Sequence, residues 1–319
     1  MNLFQRIGLA FITGYIWFFT GERIFWSFFR PGDNPIELIL GWVVYSLVAY
    51  ICLILISSFK IRSIAALFLI GAFFGWTIEG VYSLTLFGAE GIPFPLTISW
   101  TALAWHSLGI VLVWYGMRKM IMHSVSRTIV GSVALGLFWG VWALAWPLET
   151  PPVNTGVILF LLHGVLFTVL YIFALHAYAW IPHKTFDATR AEKITLGLIV
   201  LLYFGAVTVP TAPLLALTVL PSLFALIYWG IHKNSLLETR LSVLEIFAEP
   251  ISWKRSFILL LSPCVATLIF ASRIYFPSNS LFFVILTPVG GVAFIWALFS
   301  IIYKERKASK ILIQMSTKN

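Results

Sequence analysis

A few ionisable side chains lie inside long apolar stretches of this 319-residue chain, and they are the residues best placed to do chemistry. Glu22, Glu79, His106 and His163 each lie in a different stretch. If these stretches cross a membrane, each such group costs at least about 2.5 kcal/mol at mid-depth and usually marks function or pairs with another. A glutamate and two histidines around a wet cavity could couple a proton to solute movement, hold a divalent metal, or act as a general base.

The surroundings of these groups suggest a pocket. Trp76, Trp105 and Trp139 lie near them, and an indole face can hold a cation or a flat apolar group. The plainer interpretation of the many tryptophans at this level is an interfacial aromatic belt. Glu149 ends the fifth apolar stretch and is a further candidate for substrate binding or proton coupling, with a solvated loop position as the plainer alternative.

Two loops are expected to lie over the same level. The first, residues 88–95, contains two glycines and two prolines and carries Glu90, and the second, residues 149–154, occupies the corresponding place in a later hairpin. We predict that both loops cover an outward-facing cavity that holds the glutamates and histidines.

Composition identifies the class of protein. Hydrophobic residues make up 60% of the chain and charged residues only 10%, against about 25% charged residues in an ordinary soluble domain. These values exclude a soluble enzyme, a disulfide-stapled secreted domain and a disordered chain. The net charge of +9 comes from scattered basic residues, so nucleic acid is not an expected partner. Cys52 and Cys264 lie in apolar segments, without the spacing of a disulfide framework or a metal site.

The chain is therefore predicted to be an all-α polytopic membrane protein with about ten transmembrane helices, in contact with the lipid bilayer. About 20 apolar residues cross a bilayer as a helix. The ten stretches that qualify are 7–29, 36–58, 63–88, 97–117, 128–147, 156–181, 194–209, 212–231, 256–275 and 280–303.

Basic residues set the expected orientation. With the N-terminus inside, 18 of the 21 Lys and Arg residues fall on the cytoplasmic side, which is the bias of short inner loops. We therefore expect a multi-pass protein of the cell membrane with both termini cytoplasmic.

An internal repeat divides the chain into two parts. Gly14, Gly71 and Gly136 recur with similar neighbours, so spans 1–2, 3–4 and 5–6 are predicted to be three related hairpins in residues 1–182 that carry the candidate site. Residues 183–319 form a four-helix part that could be a structural annex or an oligomer interface. Residues 234–253 are predicted to form an interfacial helix along the cytoplasmic leaflet.

Three functions remain open on the sequence alone. The leading one is a transporter or permease for a small solute, because ten-span proteins with basic inner loops often have this role, an argument from association. The second is an intramembrane enzyme acting on a lipid or lipid-linked substrate. The third is a non-catalytic membrane subunit, or a haem-binding anchor of a larger complex. The sequence assigns no catalytic residue, cofactor or resident metal.

Overall fold

The protein is a bundle of helices, described in a computed structural model for residues 1–24, 34–89, 91–181, 186–237 and 242–316. For residue 237 and residues 305–316 only the course of the helix is described. The described residues are 84% helical and form no strand. Within these ranges, ten helices are long and apolar enough to cross a membrane, which agrees with the predicted number; residues 25–29 of the first predicted span lie outside the described residues. They are α1 (Leu3–Arg23), α2 (Pro35–Ser58), α3 (Ile64–Tyr82), α4 (Ile98–His123), α5 (Val125–Leu148), α6 (Val157–Trp180), α7 (Arg190–Thr211), α8 (Pro213–Leu236), α9 (Trp253–Ala271) and α10 (Ser278–Lys304).

Four of the odd-numbered helices begin with a side chain that caps their first turn. Asn2, Ser63, Ser124 and Thr189 each accept a hydrogen bond from the backbone N–H three residues later, at the starts of α1, α3, α5 and α7. Such caps satisfy N–H groups that have no partner within the helix and define where it starts. These helix starts lie at one end of the bundle, which we call the capped end.

Ion pairs hold the capped end together. Arg6 makes two hydrogen bonds of 2.8 Å to the carboxylate of Glu192, so that the start of α1 is joined to α7, and the hydroxyl of Tyr50 donates to the same carboxylate. Arg62, before α3, pairs with Glu245 at 3.0 Å. The capped end carries the basic residues that predict a cytoplasmic location, and that orientation stays a prediction.

The segment after α8 differs from the single interfacial helix predicted over 234–253. The helix of α8 continues to Leu237, a separate five-residue helix spans Leu244–Ala248, and α9 begins at Trp253. The N–H of Val243 bonds to the carbonyl of Ile61 at 2.7 Å, so this segment is folded into the bundle.

Arg118 of α4 holds this segment in place. Its side chain is 0% exposed and donates to the carbonyls of Leu175 at 2.6 Å, Phe247 at 2.7 Å and Glu249 at 2.5 Å. Burial of a charge is tolerated only when its donors are satisfied, and here backbone carbonyls satisfy them. The amphipathic pattern predicted an apolar face that lies on the membrane. In the structure this part of the chain packs on the protein, where Arg118 binds its backbone.

The three glycines of the predicted repeat each allow two helices to approach closely. A Cβ atom on Gly14 would lie 2.4 Å from Ser46 Oγ of α2, and one on Gly71 would lie 2.6 Å from Ser107 Cα of α4. On Gly136 of α5 it would lie 2.5 Å from the Ser262 carbonyl oxygen of α9. The first two glycines therefore pack within their own hairpin and the third packs against α9. The three-hairpin repeat itself stays a prediction.

Candidate functional site

Glu79 and His106 form the centre of the candidate site. His106 Nε2 lies 2.8 Å from Glu79 Oε1, and the hydroxyl of Thr85 donates to the other carboxylate oxygen. The His106 residue is 5% exposed, so most of its surface is covered by protein. Helices α3 and α4 pack closely side by side because Gly71 has no side chain to separate them. A carboxylate and an imidazole at this distance can share or exchange a proton.

A second hydrogen-bonded pair, Glu22 and Tyr45, lies next to Glu79 and His106. The hydroxyl of Tyr45 on α2 donates to Glu22 Oε1 on α1 at 2.6 Å, and the Tyr45 ring centre is 5.9 Å from that of His106. Gly21 leaves room for this arrangement, because a Cβ atom there would lie 3.0 Å from His106 Cε1. Four helices thus bring two hydrogen-bonded acids to one place at the end of the bundle opposite the capped end.

The helices that carry these acids and His106 change their winding at the site. Residues Phe19–Arg23 of α1, Ile78–Tyr82 of α3 and Ile98–Ser107 of α4 are π-helical. This i→i+5 winding is rare and is frequently found at functional sites. Two further π-helical segments, Ile110–Gly116 of α4 and Phe204–Thr208 of α7, lie elsewhere in the described structure.

A cavity of about 700 Å³ is lined by Glu22, Glu79 and His106. Its volume is within the range of about 300–1,000 Å³ typical of small-molecule sites. The described residues that line it are Gly21, Glu22, Glu79, Thr85, Ala89, Ile92, Trp100, Thr101, Trp105, His106, Trp142, Glu149, Thr150, Asn279, Ser280, Phe283 and Val284.

Both predicted loops contribute to the cavity. Ala89 and Ile92 come from the loop between α3 and α4, and Glu149 and Thr150 come from the loop after α5. Glu90, which the sequence also places in the first loop, lies outside the described residues. The two loops therefore lie at the end of the cavity that the sequence predicts to be outermost.

Three indoles form an aromatic group within the lining. The ring centres of Trp100 and Trp105 are 4.7 Å apart, those of Trp105 and Trp142 are 4.9 Å apart, and those of Trp100 and Trp142 are 6.4 Å apart. Phe283 of α10 packs its ring 5.1 Å from that of Trp100. The group joins α4, α5 and α10 around one side of the site.

The structure brings most of the predicted site residues together. Glu22, Glu79, His106 and Glu149 all line the cavity, and so does Trp105. Among the described residues, that lining does not include His163 of α6.

Two of the three tryptophans predicted to wall the pocket have other places. The Trp76 indole donates to the carbonyl of Ile98 at 3.0 Å and packs against Phe294 of α10. Trp139 is buried and packs against Phe160 of α6. Both are core residues in the described structure. The position of each ring depends on how its helix is rotated about its own axis. The spacing of these residues from Glu79 in the sequence does not determine that rotation.

Sequence reasoning missed several residues of the site. Tyr45 and Thr85 bond the two acids, and Asn279 and Ser280 bring the first turn of α10 to the cavity. Tyr45 and Thr85 are single polar residues in largely apolar surroundings, which is a weak signal of a partner. The contribution of α10 could not be inferred, because the repeat directs attention to the first six spans.

The arrangement can bind a proton or a polar solute. Glu79 and His106 supply one shared proton site, and Glu22 with Tyr45 supplies a second group of hydrogen-bonding atoms next to it. Among the described residues, no group of three or more His, Cys, Asp or Glu side chains is placed to hold a metal ion.

The chain is a multi-pass helical membrane protein on the evidence of its ten apolar helices. Comparison with protein-family models, with curated proteins and with solved structures finds no match for it.

Proposed function

We propose that the protein is a transporter for a small solute, with Glu79 and His106 as the residues that couple transport to protons. The observation that carries the proposal is the 2.8 Å contact of these two side chains on the wall of a 700 Å³ cavity inside a ten-helix bundle. A titratable pair next to a solute-sized space within the membrane is the arrangement that proton-coupled movement requires.

The groups around Glu79 favour a change of protonation during transport. Glu22 and Tyr45 lie beside the pair, and Thr85 donates to the same carboxylate. The two carboxylates repel each other, and Arg23 and His106, which also act on Glu22, offset part of that repulsion. A charged solute in the cavity would therefore change the balance of charge around the Glu79–His106 pair.

The π-helical segments supply the second support. Among the described residues, five segments are π-helical, and three of them contain Glu22, Glu79 and His106; the other two are Ile110–Gly116 of α4 and Phe204–Thr208 of α7. A change of winding in the three segments at the site would move these side chains relative to the cavity. The orientation with both termini in the cytoplasm, and a location in the cell membrane, belong to this proposal.

Uptake into proteoliposomes tests the function. Purified full-length protein is reconstituted and given an inward or outward pH gradient together with a mixture of amino acids, sugars, nucleosides, organic acids and amines. Mass spectrometry then measures which solutes enter. We expect one solute class to accumulate above protein-free liposomes in a manner that depends on the pH gradient, and Glu79→Gln to remove that dependence.

Glu37→Gln is the matched control. It removes the charge of a glutamate that is exposed in the first turn of α2, away from the cavity lining, and should leave uptake unchanged. The proposal fails if no solute enters above the protein-free level. The coupling role of Glu79 fails if Glu79→Gln retains pH-dependent uptake at the wild-type rate.

One observation favours the alternative of an intramembrane enzyme for a lipid or lipid-linked substrate. Val284 of α10 lines the cavity and is also 67% exposed, so the cavity is open beside this apolar side chain. A lipid could reach Glu79 and His106 from this side, and His106 held by a carboxylate can act as a general base. Incubation with labelled membrane lipids, followed by mass spectrometry, separates the two: product formation that depends on His106 supports the enzyme.

A further inference from the structure

We infer that the solute bound in this cavity is a small organic ammonium compound, a primary amine or a quaternary ammonium ion. This inference rests on the proposed function for its biological meaning, but it concerns binding and can be tested without transport. It is carried by two features of the cavity that occur together, its charge and its aromatic group.

The charged side chains among the described lining residues are three glutamates and one histidine. Glu22 and Glu79 come from α1 and α3 and Glu149 from the loop after α5, so carboxylates reach the cavity from three separate segments. Such a lining disfavours phosphates, carboxylates and other anions, since like charges in a poorly hydrated space repel strongly. Two basic groups offset part of this charge, because Arg23 acts electrostatically on Glu22 and His106 is bonded to Glu79. The three carboxylates still outnumber these two basic groups, so the lining favours a cation over an anion.

The aromatic group selects an organic cation over a small hydrated ion. Trp100, Trp105 and Trp142 meet at interplanar angles of 38–75°, so none of the three contacts is a parallel stack that hides two faces against each other. Indole faces are the best aromatic partners for ammonium groups, and their attraction increases when water is excluded. The apolar substituents of an alkylammonium ion also find an apolar surface in these rings.

Size and polarity agree with this assignment. A cavity of about 700 Å³ accommodates a drug-sized molecule or a smaller amine with some water. Asn279 and Ser280 on α10 offer an amide and a hydroxyl for the uncharged polar end of such a molecule. The combination of carboxylates, indoles and a few neutral polar groups is expected for an amine that carries a hydroxyl or an aromatic substituent.

Binding measurements with matched pairs of ligands test the inference. Isothermal titration calorimetry on the purified full-length protein compares choline with its neutral carbon analogue, 3,3-dimethylbutan-1-ol, and 2-phenylethylammonium with 2-phenylethanol. We expect at least one of the two cations to bind with a millimolar or lower Kd, at least about tenfold more tightly than its neutral partner.

Variants locate the binding. Glu79→Gln and Trp105→Ala should each weaken binding of the cation about tenfold or more, whereas Glu37→Gln and Trp180→Ala should not change it. Trp180 is 66% exposed at the capped end and serves as the matched tryptophan control. Size-exclusion chromatography confirms that each variant is folded, and Glu22→Gln and Trp100→Phe replace any variant that is not.

Three results would overturn the inference. These are equal binding of the neutral and charged partners, no binding of either cation at millimolar concentration, and displacement of the cation by Mg²⁺ or Ca²⁺ at equal concentration, which would indicate a metal site. Failure of the proposed function looks different, because a cation that binds but never enters proteoliposomes refutes transport alone. Accumulation of another solute class without cation binding refutes the substrate class alone.

Discussion

Replacement of Arg118 by methionine should release the segment between α8 and α9. The side chain is fully buried and makes three hydrogen bonds of 2.5–2.7 Å, to the carbonyls of Leu175, Phe247 and Glu249. Methionine fills part of the volume but donates no hydrogen bond. The three carbonyls then lose a charged partner, at about 1.5–3 kcal/mol for each bond in isolation.

The net effect is smaller than the sum of the three bonds. Water can reach carbonyls of the segment once it opens, so we expect a net cost of about 3–5 kcal/mol, which is less than the sum for three such bonds. Because about 1.4 kcal/mol corresponds to a factor of ten, local opening should become roughly 100-fold to 3,000-fold more frequent. The amide hydrogens of Val243 and Ile246, which bond to Ile61 and Val243, report this opening.

Hydrogen exchange followed by mass spectrometry measures the prediction on a peptide that spans these amides. Lys119→Met is the matched control, because Lys119 is the next basic residue on α4 and its side chain is exposed. Exchange of the segment should increase by the stated factor in Arg118→Met and stay at the wild-type rate in Lys119→Met. Unchanged exchange in Arg118→Met would refute the view that this arginine tethers the segment.

Three further predictions concern packing, the capped end and orientation. Gly71→Ala puts a Cβ atom 2.6 Å from the backbone of α4 and should lower the free energy of unfolding by about 1–3 kcal/mol, measured as a lower melting temperature. Gly197→Ala is the control, because no atom lies within 4 Å of the added Cβ, and it should not lower the melting temperature. Glu192→Gln weakens the bidentate link between α1 and α7, and a loss of about 1.5–3 kcal/mol should likewise lower the melting temperature. In a background without the native cysteines, Thr150→Cys should react with an impermeant maleimide in intact cells and His123→Cys only after permeabilisation; the opposite pattern would refute the predicted orientation.

The bundle could be predicted because hydrophobicity and length are local properties of the chain. All ten predicted spans correspond to helices, and their ends fall near capping residues such as Ser63 and Thr189. The structure of the segment between α8 and α9 could not be predicted. The amphipathic pattern over 234–253 does not reveal that Arg118, more than a hundred residues earlier, binds that segment's carbonyls.

The candidate site was partly predictable for a similar reason. Rarity alone drew attention to Glu79 and His106, because ionisable residues in apolar helices need partners, and the structure places them 2.8 Å apart. Partners that come from other helices were not predictable. Tyr45 reaches Glu22 from α2, and Trp142 reaches Trp105 from α5, through packing that depends on how each helix is rotated.

The position of α9 has a consequence for how the protein is made. Ser262 and Pro263 of α9 fill the spaces above Gly136 of α5 and Gly164 of α6, which were synthesised about a hundred residues before it. Until α9 leaves the ribosome, both glycine surfaces lack their final neighbour. Membrane insertion of the first six helices therefore yields an unfinished intermediate, and a nascent chain arrested before α9 should be held by the insertion machinery or degraded by quality-control proteases.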